Sequence, residues 1–288
     1  MKTLKLIANA KLNLYLDITS KRSDGYHNLK TVMQTIDLHD ELEFIISDGT
    51  GIEIFCSRSD LPLNENNLVY KGMLAAFNYA YFSPGCKITV NLKKNIPSQA
   101  GMGGGSADCA AAILAMDKLF HLELSYDELC TAAKMCGADV PFFIKGSTAL
   151  CEGIGEKITQ LEPLQADFAI VKPDESISAP EAYRAFDERG KSCGDYAAFE
   201  QALKANDKEK LGKSLYNAFS SCIETDKIYK AKRTLLDSGA LGAQMTGSGS
   251  AVFGIFDNFQ AAEAAAQTNE FEFSRVCRAT DYGVKEVE

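Results

Sequence analysis

Ile96-Pro97-Ser98-Gln99-Ala100-Gly101-Met102-Gly103-Gly104-Gly105-Ser106-Ala107-Asp108 is the stretch on which the reading of this chain turns. Its glycines and serine separate two apolar segments of different period. Upstream, Ile88, Val90 and Leu92 alternate with Lys87, Thr89 and Asn91, as in a half-buried strand. Downstream, Cys109-Ala110-Ala111-Ala112-Ile113-Leu114-Ala115-Met116 is apolar on nearly every side, which predicts a buried helix. A glycine loop feeding such a helix presents bare backbone N–H groups at the positive end of the helix dipole, an arrangement suited to phosphate. Glycine permits the close approach and the positive φ that such a loop needs. A plain strand-to-helix turn is the simpler alternative. No lysine follows the last glycine, and the Gly-x-Gly-x-x-Gly spacing is absent, so the loop is neither a P-loop nor a dinucleotide fingerprint.

The length of 288 residues suits one large domain or two modest ones, and 46% apolar residues can fill a sizeable core. A formal net charge of −9 argues against a general nucleic-acid binder but leaves room for a local basic pocket. Nine cysteines at irregular spacing, with no Cys-x-x-Cys and only His27, His39 and His121 beside them, read as reduced thiols of a cytoplasmic protein. The N-terminus lacks signal-peptide architecture, and no apolar run is long enough to span a membrane. Nucleic acid and membrane are therefore not expected as partners; a monomer or weak homodimer is expected.

Residues 4–18 alternate over a long span and predict a strand with one apolar and one polar face. Lys11 and Asn13 then point the same way, about 7 Å apart. Ser23-Asp24-Gly25 is a turn, and Tyr26 and His27 directly after it could stack on and hydrogen-bond a base. Strands are expected at 32–38, 41–46 and 52–56. Asn66 or Asn67 caps a helix over 68–81. Ser125-Tyr126-Asp127-Glu128 is a capping box that opens a helix ended by Gly137. Asp139, in Gly137-Ala138-Asp139-Val140-Pro141-Phe142-Phe143, is a carboxylate in apolar surroundings, needing either a partner or a capping role. Strands at 147–152 and 157–160 precede Leu161-Glu162-Pro163-Leu164-Gln165, read as the junction between domains 1–162 and 163–288. Beyond it come a strand (167–172), helices after Ala179-Pro180 and at 196–205, 208–220 and 226–237, a strand (242–246), and the loop Thr246-Gly247-Ser248-Gly249-Ser250. A strand (251–256), a helix (259–268) and a strand (273–279) complete a ferredoxin-like split pattern. The second glycine loop is simplest as a hairpin turn, with backbone amides that could also meet substrate.

Three separated segments agree in order and content with one family: Ala10-Lys11-Leu12-Asn13-Leu14 with Asp24-Gly25-Tyr26-His27, the loop from Pro97 to Ala107, and Thr246-Gly247-Ser248-Gly249. Together they resemble the GHMP small-molecule kinases. The first segment and Gly137-Ala138-Asp139-Val140-Pro141-Phe142 are similar to the branch that acts on a cytidine diphosphate-linked methylerythritol in the non-mevalonate isoprenoid pathway. The resemblance implies a two-domain α/β (α+β) fold. An N-terminal ATP-binding domain with a βαβ unit would carry the phosphate loop, and a C-terminal ferredoxin-like domain would lie on the substrate side. It implies an ATP- and Mg²⁺-dependent cytoplasmic kinase that phosphorylates the 2-hydroxyl of its substrate.

By the same resemblance, Lys11 and Asp139 are catalytic: Asp139 takes or orients the hydroxyl proton, and Lys11 stabilises the phosphoryl group in transfer. Pro97, Ser98, Gln99, Ala100, Gly101, Met102, Gly103, Gly104, Gly105, Ser106 and Ala107 would cradle the nucleotide, with Ser106 also at the metal. Asn67 and Lys94 match positions near the adenine. Tyr26, His27 and Tyr183 match a cytosine pocket in which the two tyrosines sandwich the base, and Asn13 would lie by the substrate diphosphate or hydroxyls. Met102, Ala107 and Cys109 depart from the usual Leu, Ser and Ala; Met for Leu conserves volume, whereas Ala107 removes one hydroxyl from the phosphate set. Homoserine, mevalonate or sugar kinases of the same superfamily, or a non-catalytic nucleotide-binding relative, are the alternatives. The Tyr26-His27 pair argues against the former and the joint presence of Lys11, Asp139 and the loop against the latter.

Overall fold

The computed structural model describes residues 2–223, 225–268 and 270–288. Its elements run β1 (Lys2–Lys21), β2 (His27–Ser47), β3 (Gly51–Cys56), α1 (Leu68–Tyr79), β4 (Lys87–Lys93), α2 (Gly104–Phe120), α3 (Tyr126–Lys134), α4 (Val140–Lys145), β5 (Thr148–Gly153) and β6 (Lys157–Gln160). They continue β7 (Asp167–Lys172), α5 (Ala179–Arg189), α6 (Tyr196–Lys204), α7 (Lys208–Ser214), β8 (Tyr216–Asn217), α8 (Asp226–Asp237), β9 (Gly242–Met245), β10 (Val252–Phe256), α9 (Phe259–Ala266), β11 (Phe273–Arg278) and β12 (Val284–Val287). The larger sheet has the order β12-β1-β2-β4-β3, with β5 and β6 added on β2 and the short β8 on β1. The smaller has the order β11-β7-β10-β9 with every pairing antiparallel. The fold is thus mixed α/β (α+β), and the smaller sheet carries the split strand-helix-strand-strand-helix-strand pattern with extra helices inserted after α5.

The expectation that β1 has one apolar and one polar face is corrected. Its register against β2 shifts between Asn9 and Lys11 and again between Asn13 and Tyr15. The strand is irregular at these positions, so its alternating residues do not share one environment along its length. Leu4, Leu6 and Ala8 therefore pack with Phe44, Val90, Ala110 and Ile113 beside α2. Ala10, Leu12 and Leu14 pack instead with Phe168, Ile170 and Phe253 of the smaller sheet. Buried on both faces, β1 has no solvated polar face at mid-strand: Asn9, Lys11 and Asn13 are all buried.

Three further expectations change. Strands 32–38 and 41–46 are one strand, β2. The polar residues between them do not break it, because Asp40 accepts hydrogen bonds from the Asn95 and Ile96 amides at 2.6 and 2.8 Å. The helix expected over 208–220 stops at Ser214. Asn217 there caps a short 3₁₀ turn, accepting from the Phe219 amide at 3.0 Å, and an asparagine that bonds its own backbone disfavours continued helix. Finally, residues 284–287 form β12, antiparallel to Lys5–Ala8 of β1, so the chain's end returns to the larger sheet.

Candidate active site

The glycine loop ends at Gly103, which stands as the N-cap of α2 with φ 73°. Only glycine takes that conformation at no cost, and a β-carbon at Gly103 would also lie 2.7 Å from the Phe143 ring. No side chain caps α2, so the N–H groups of its first turn point out of the helix end. They open on a cavity of about 430 Å³ lined by residues 96–106 together with Leu61, Pro62, Asn67, Leu68 and Lys94. The second glycine loop is the hairpin between β9 and β10, as expected. It also braces the first: the Thr246 hydroxyl lies 3.3 Å from the Gly101 carbonyl oxygen and accepts from the Asn13 amide at 3.0 Å. Asn217 fixes this hairpin by donating to the carbonyls of Met245 and Gly247, each at 2.8 Å.

Lys11 enters from β1, its backbone N–H bonded to the Met102 carbonyl at 3.0 Å. Its ammonium donates to Asn13 Oδ1 at 2.5 Å and lies 3.7 Å from Asp139 Oδ2. Burial pulls the Lys11 pKa down, and the Asp139 carboxylate only partly opposes this. Asp139 precedes α4 at the capping position, yet its side chain makes no capping bond. It faces the lysine instead, which decides between the two readings that its sequence left open. Asn13 donates onward to the Thr31 hydroxyl at 2.9 Å, so the lysine's partner is itself held.

A second cavity, of about 490 Å³, is lined by Tyr26, His27, Ala138, Tyr183, Arg184 and Asp187. The three aromatic residues singled out in the sequence do meet here. Their arrangement differs from two facing tyrosine plates: Tyr183 stacks on the His27 ring, centroids 4.9 Å apart and planes 17° from parallel. Tyr26 is 60% exposed. Ala138, next to Asp139, lines this cavity, while Gly103 beside Lys11 lines the first, so each cavity has a lining residue that adjoins one member of the pair.

Asn67 and Lys94 line the first cavity with their polar atoms already engaged. Asn67 accepts from the Val69 amide at 2.8 Å as the α1 cap and donates to the Pro62 carbonyl at 2.7 Å. Lys94 is buried between Asp40 and Asp108, which raise its pKa against the opposing effect of desolvation. Ser106 sits on the first turn of α2 and lines the same cavity. Among the described residues no group of three His, Cys, Asp or Glu side chains gathers to hold a metal. A single hydroxyl suits Mg²⁺ arriving with a nucleotide, since that ion keeps waters and takes phosphate oxygens in preference to an all-protein cage.

Asp187 and Asp40 were not singled out in the sequence, and Thr246 was read only as part of the second glycine loop. For Asp187 a signal existed: it lies four residues after Tyr183 and so on the same face of α5. Thr246 and Asp40 act through contacts with distant segments that no local pattern reports.

Two family models match the chain in order: the GHMP kinases N terminal domain over residues 67–147 and the GHMP kinases C terminal domain over 199–274. The fold is thus that of an ATP-dependent small-molecule kinase of the GHMP class. A 4-diphosphocytidyl-2-C-methyl-D-erythritol kinase of Caldanaerobacter subterraneus subsp. tengcongensis is 41% identical over 262 residues, 89% of either chain. One from Clostridium perfringens is 39% identical over 274 residues, 94% of this chain and 93% of its own. A solved structure of a kinase of that name superposes with a TM-score of 0.82 at 27% identity, covering 96% of this chain and 99% of the other. The chain belongs to the 4-diphosphocytidyl-2-C-methyl-D-erythritol kinase family. A homoserine kinase structure from Cytophaga hutchinsonii, at 20% identity and TM-score 0.80, shares the fold.

Proposed function

We propose that this chain transfers the γ-phosphoryl group of ATP to the 2-hydroxyl of 4-diphosphocytidyl-2-C-methyl-D-erythritol. The observation that carries the reading is the Lys11–Asp139 pair, 3.7 Å apart, with Gly103 of the loop cavity against the lysine and Ala138 of the aromatic cavity next to the aspartate. The loop Pro97–Ala107 holds the ATP phosphates through its amides and the α2 N-terminus. Apolar Leu61, Pro62 and Leu68 wall the adenine end, framed by Asn67 and Lys94. The cytosine occupies the second cavity against Tyr26, His27 and Tyr183, and Asn13 lies towards the diphosphate and polyol.

Asp139 accepts the proton of the substrate hydroxyl, or fixes that hydroxyl in line, as it attacks the γ-phosphorus. The oxygen–phosphorus bond forms as the bond to the β-phosphate oxygen breaks, and ADP leaves. Lys11, held by Asn13, faces the charge on the moving phosphoryl group, where a partly desolvated cation acts strongly. Ser106 is the residue that would meet Mg²⁺, which when bound would neutralise charge on the ATP phosphates. Positioning and electrostatics supply most of the rate. Nine free cysteines support a cytoplasmic setting, where thiols are kept reduced.

The test is ADP release by purified protein with ATP and Mg²⁺, offering the cytidyl compound beside mevalonate, homoserine and galactose. Turnover confined to the cytidyl compound is expected. Turnover with another acceptor alone would overturn the base pocket while leaving the lysine–aspartate chemistry intact.

A further inference from the structure

His27 is gripped from two directions by one helix. Tyr183 covers its face, and Asp187 Oδ1 meets its Nε2 at 2.7 Å, both residues lying one turn apart on α5. Asp187 also accepts from Lys21 Nζ at 2.6 Å, and Lys21 is the cross-strand neighbour of His27 at the end of β1 and β2. Hydrogen bonds from Lys21 and then from His27 hold the Asp187 carboxyl below the usual carboxylate range. An ionised carboxylate can only accept, so Nε2 must carry a proton. In a neutral imidazole that leaves Nδ1 as a lone-pair acceptor. Nδ1 has no hydrogen-bond partner among the described residues, and it is not among the sealed, unpaired polar atoms. His27 itself lines the aromatic cavity.

We propose that Asp187 is a specificity-determining positioning residue: by holding the Nε2–H of His27 it presents Nδ1 as an acceptor in the cavity, selecting a pyrimidine that offers an amino group over one that offers a carbonyl. This inference rests on the cavity being the base site proposed above. A cytosine amino group donates to Nδ1, whereas the uracil carbonyl at the same place sets two lone pairs against each other. A site built to bond a donor rejects the analogue lacking it far more strongly than an apolar pocket could.

The experiment compares kcat/KM for the cytidine diphosphate-linked substrate and its uridine diphosphate-linked analogue in wild type, Asp187→Asn, Asp187→Glu and Lys21→Ala. An Asn side chain can turn its NH₂ towards Nε2 and so permit the opposite tautomer. Asp187→Asn is expected to lower the cytosine-to-uracil ratio by about tenfold or more, with the loss in KM for the nucleotide-linked substrate and not in KM for ATP. Asp187→Glu and Lys21→Ala, which both keep a carboxylate at position 187 to accept from Nε2, retain most of the ratio. Heteronuclear NMR of the imidazoles in the substrate-free protein, which has only three histidines, reads the tautomer directly, with His27→Gln for assignment. An unchanged ratio in a folded Asp187→Asn protein, or an Nδ1-protonated neutral ring in wild type, overturns the inference. Failure of the wild type to use the cytidyl compound at all would instead overturn the base site on which it rests, and the NMR arm keeps the two failures apart.

Discussion

Gly101 and Thr246, in glycine loops 145 residues apart in sequence, touch so closely that a β-carbon on Gly101 would lie 2.0 Å from the Thr246 carbonyl oxygen. Gly101 also has φ 72°. The phosphate loop is therefore shaped by the hairpin of the smaller sheet as much as by its own residues. Gly101→Ala must either break that contact or strain the backbone, at a cost of about 1–3 kcal/mol. Urea denaturation should show that loss, with a rise in KM for ATP. A stable, fully active Gly101→Ala protein would show that the two loops are not coupled.

Lys11 is buried and its pKa is lowered, chiefly by desolvation. A base whose folded-state pKa lies below its unfolded value binds fewer protons when folded over that interval. Stability therefore rises with pH there, and at neutral pH the buried charge is a burden. Lys11→Met should inactivate the enzyme and yet raise the denaturation midpoint at pH 7. Asp139→Asn should lower kcat by about 10²–10⁴-fold with ATP binding retained. Calorimetric titration with a non-hydrolysable ATP analogue checks binding, and loss of that binding in the Asp139 variant would make its role structural.

The parts of this molecule legible in sequence are those whose signal is local. The strand–glycine loop–helix passage, the Ser125 capping box and the split pattern of the smaller sheet all depend on period, caps and turns within a few residues. What escaped depends on contacts at long range. The register shifts between β1 and β2 leave the alternation of Leu4 to Ile18 intact in sequence, while those side chains enter different cores. The enclosure of Lys94, matched by resemblance to a position near the adenine, left no local signal because the two aspartates that enclose it lie 54 and 14 residues away. Tyr183 read as a plate for a base, and the ring stacked on it, His27, comes from the start of β2, 156 residues earlier in the chain.

Tyr26 is 60% exposed and lines the aromatic cavity. Its removal should barely change stability, as for most surface substitutions. Stacking of a base on an aromatic ring is worth roughly 1–3 kcal/mol. Tyr26→Ala should therefore raise KM for the cytidyl substrate about tenfold or more while leaving KM for ATP close to its wild-type value. Equal rises in both constants would move Tyr26 out of the substrate pocket.

Asp108, in the second turn of α2, bonds Lys94 through Oδ2 at 2.6 Å, while its Oδ1 is buried without a partner. Burial first, then the negative charge of Asp40, push its pKa up to about 8 from an ordinary 3.8, despite the opposing Lys94. Between those values the folded state keeps a proton that the unfolded chain has released, so stability should fall as pH rises from about 4 to about 8. Asp108→Asn keeps an oxygen for Lys94 and removes the second negative charge beside Asp40. Urea midpoints at pH 5 and pH 8 should therefore converge in the variant and differ in the wild type. Equal differences in the two proteins would show that Asp108 stays ionised across the range, with Lys94 compensating for both carboxylates at once. The position matters for function because Lys94, Ile96 and the first turn of α2 form one wall of the nucleotide cavity. A pH-dependent loosening of this cluster would accordingly appear as a rise in KM for ATP above pH 7 that Asp108→Asn abolishes.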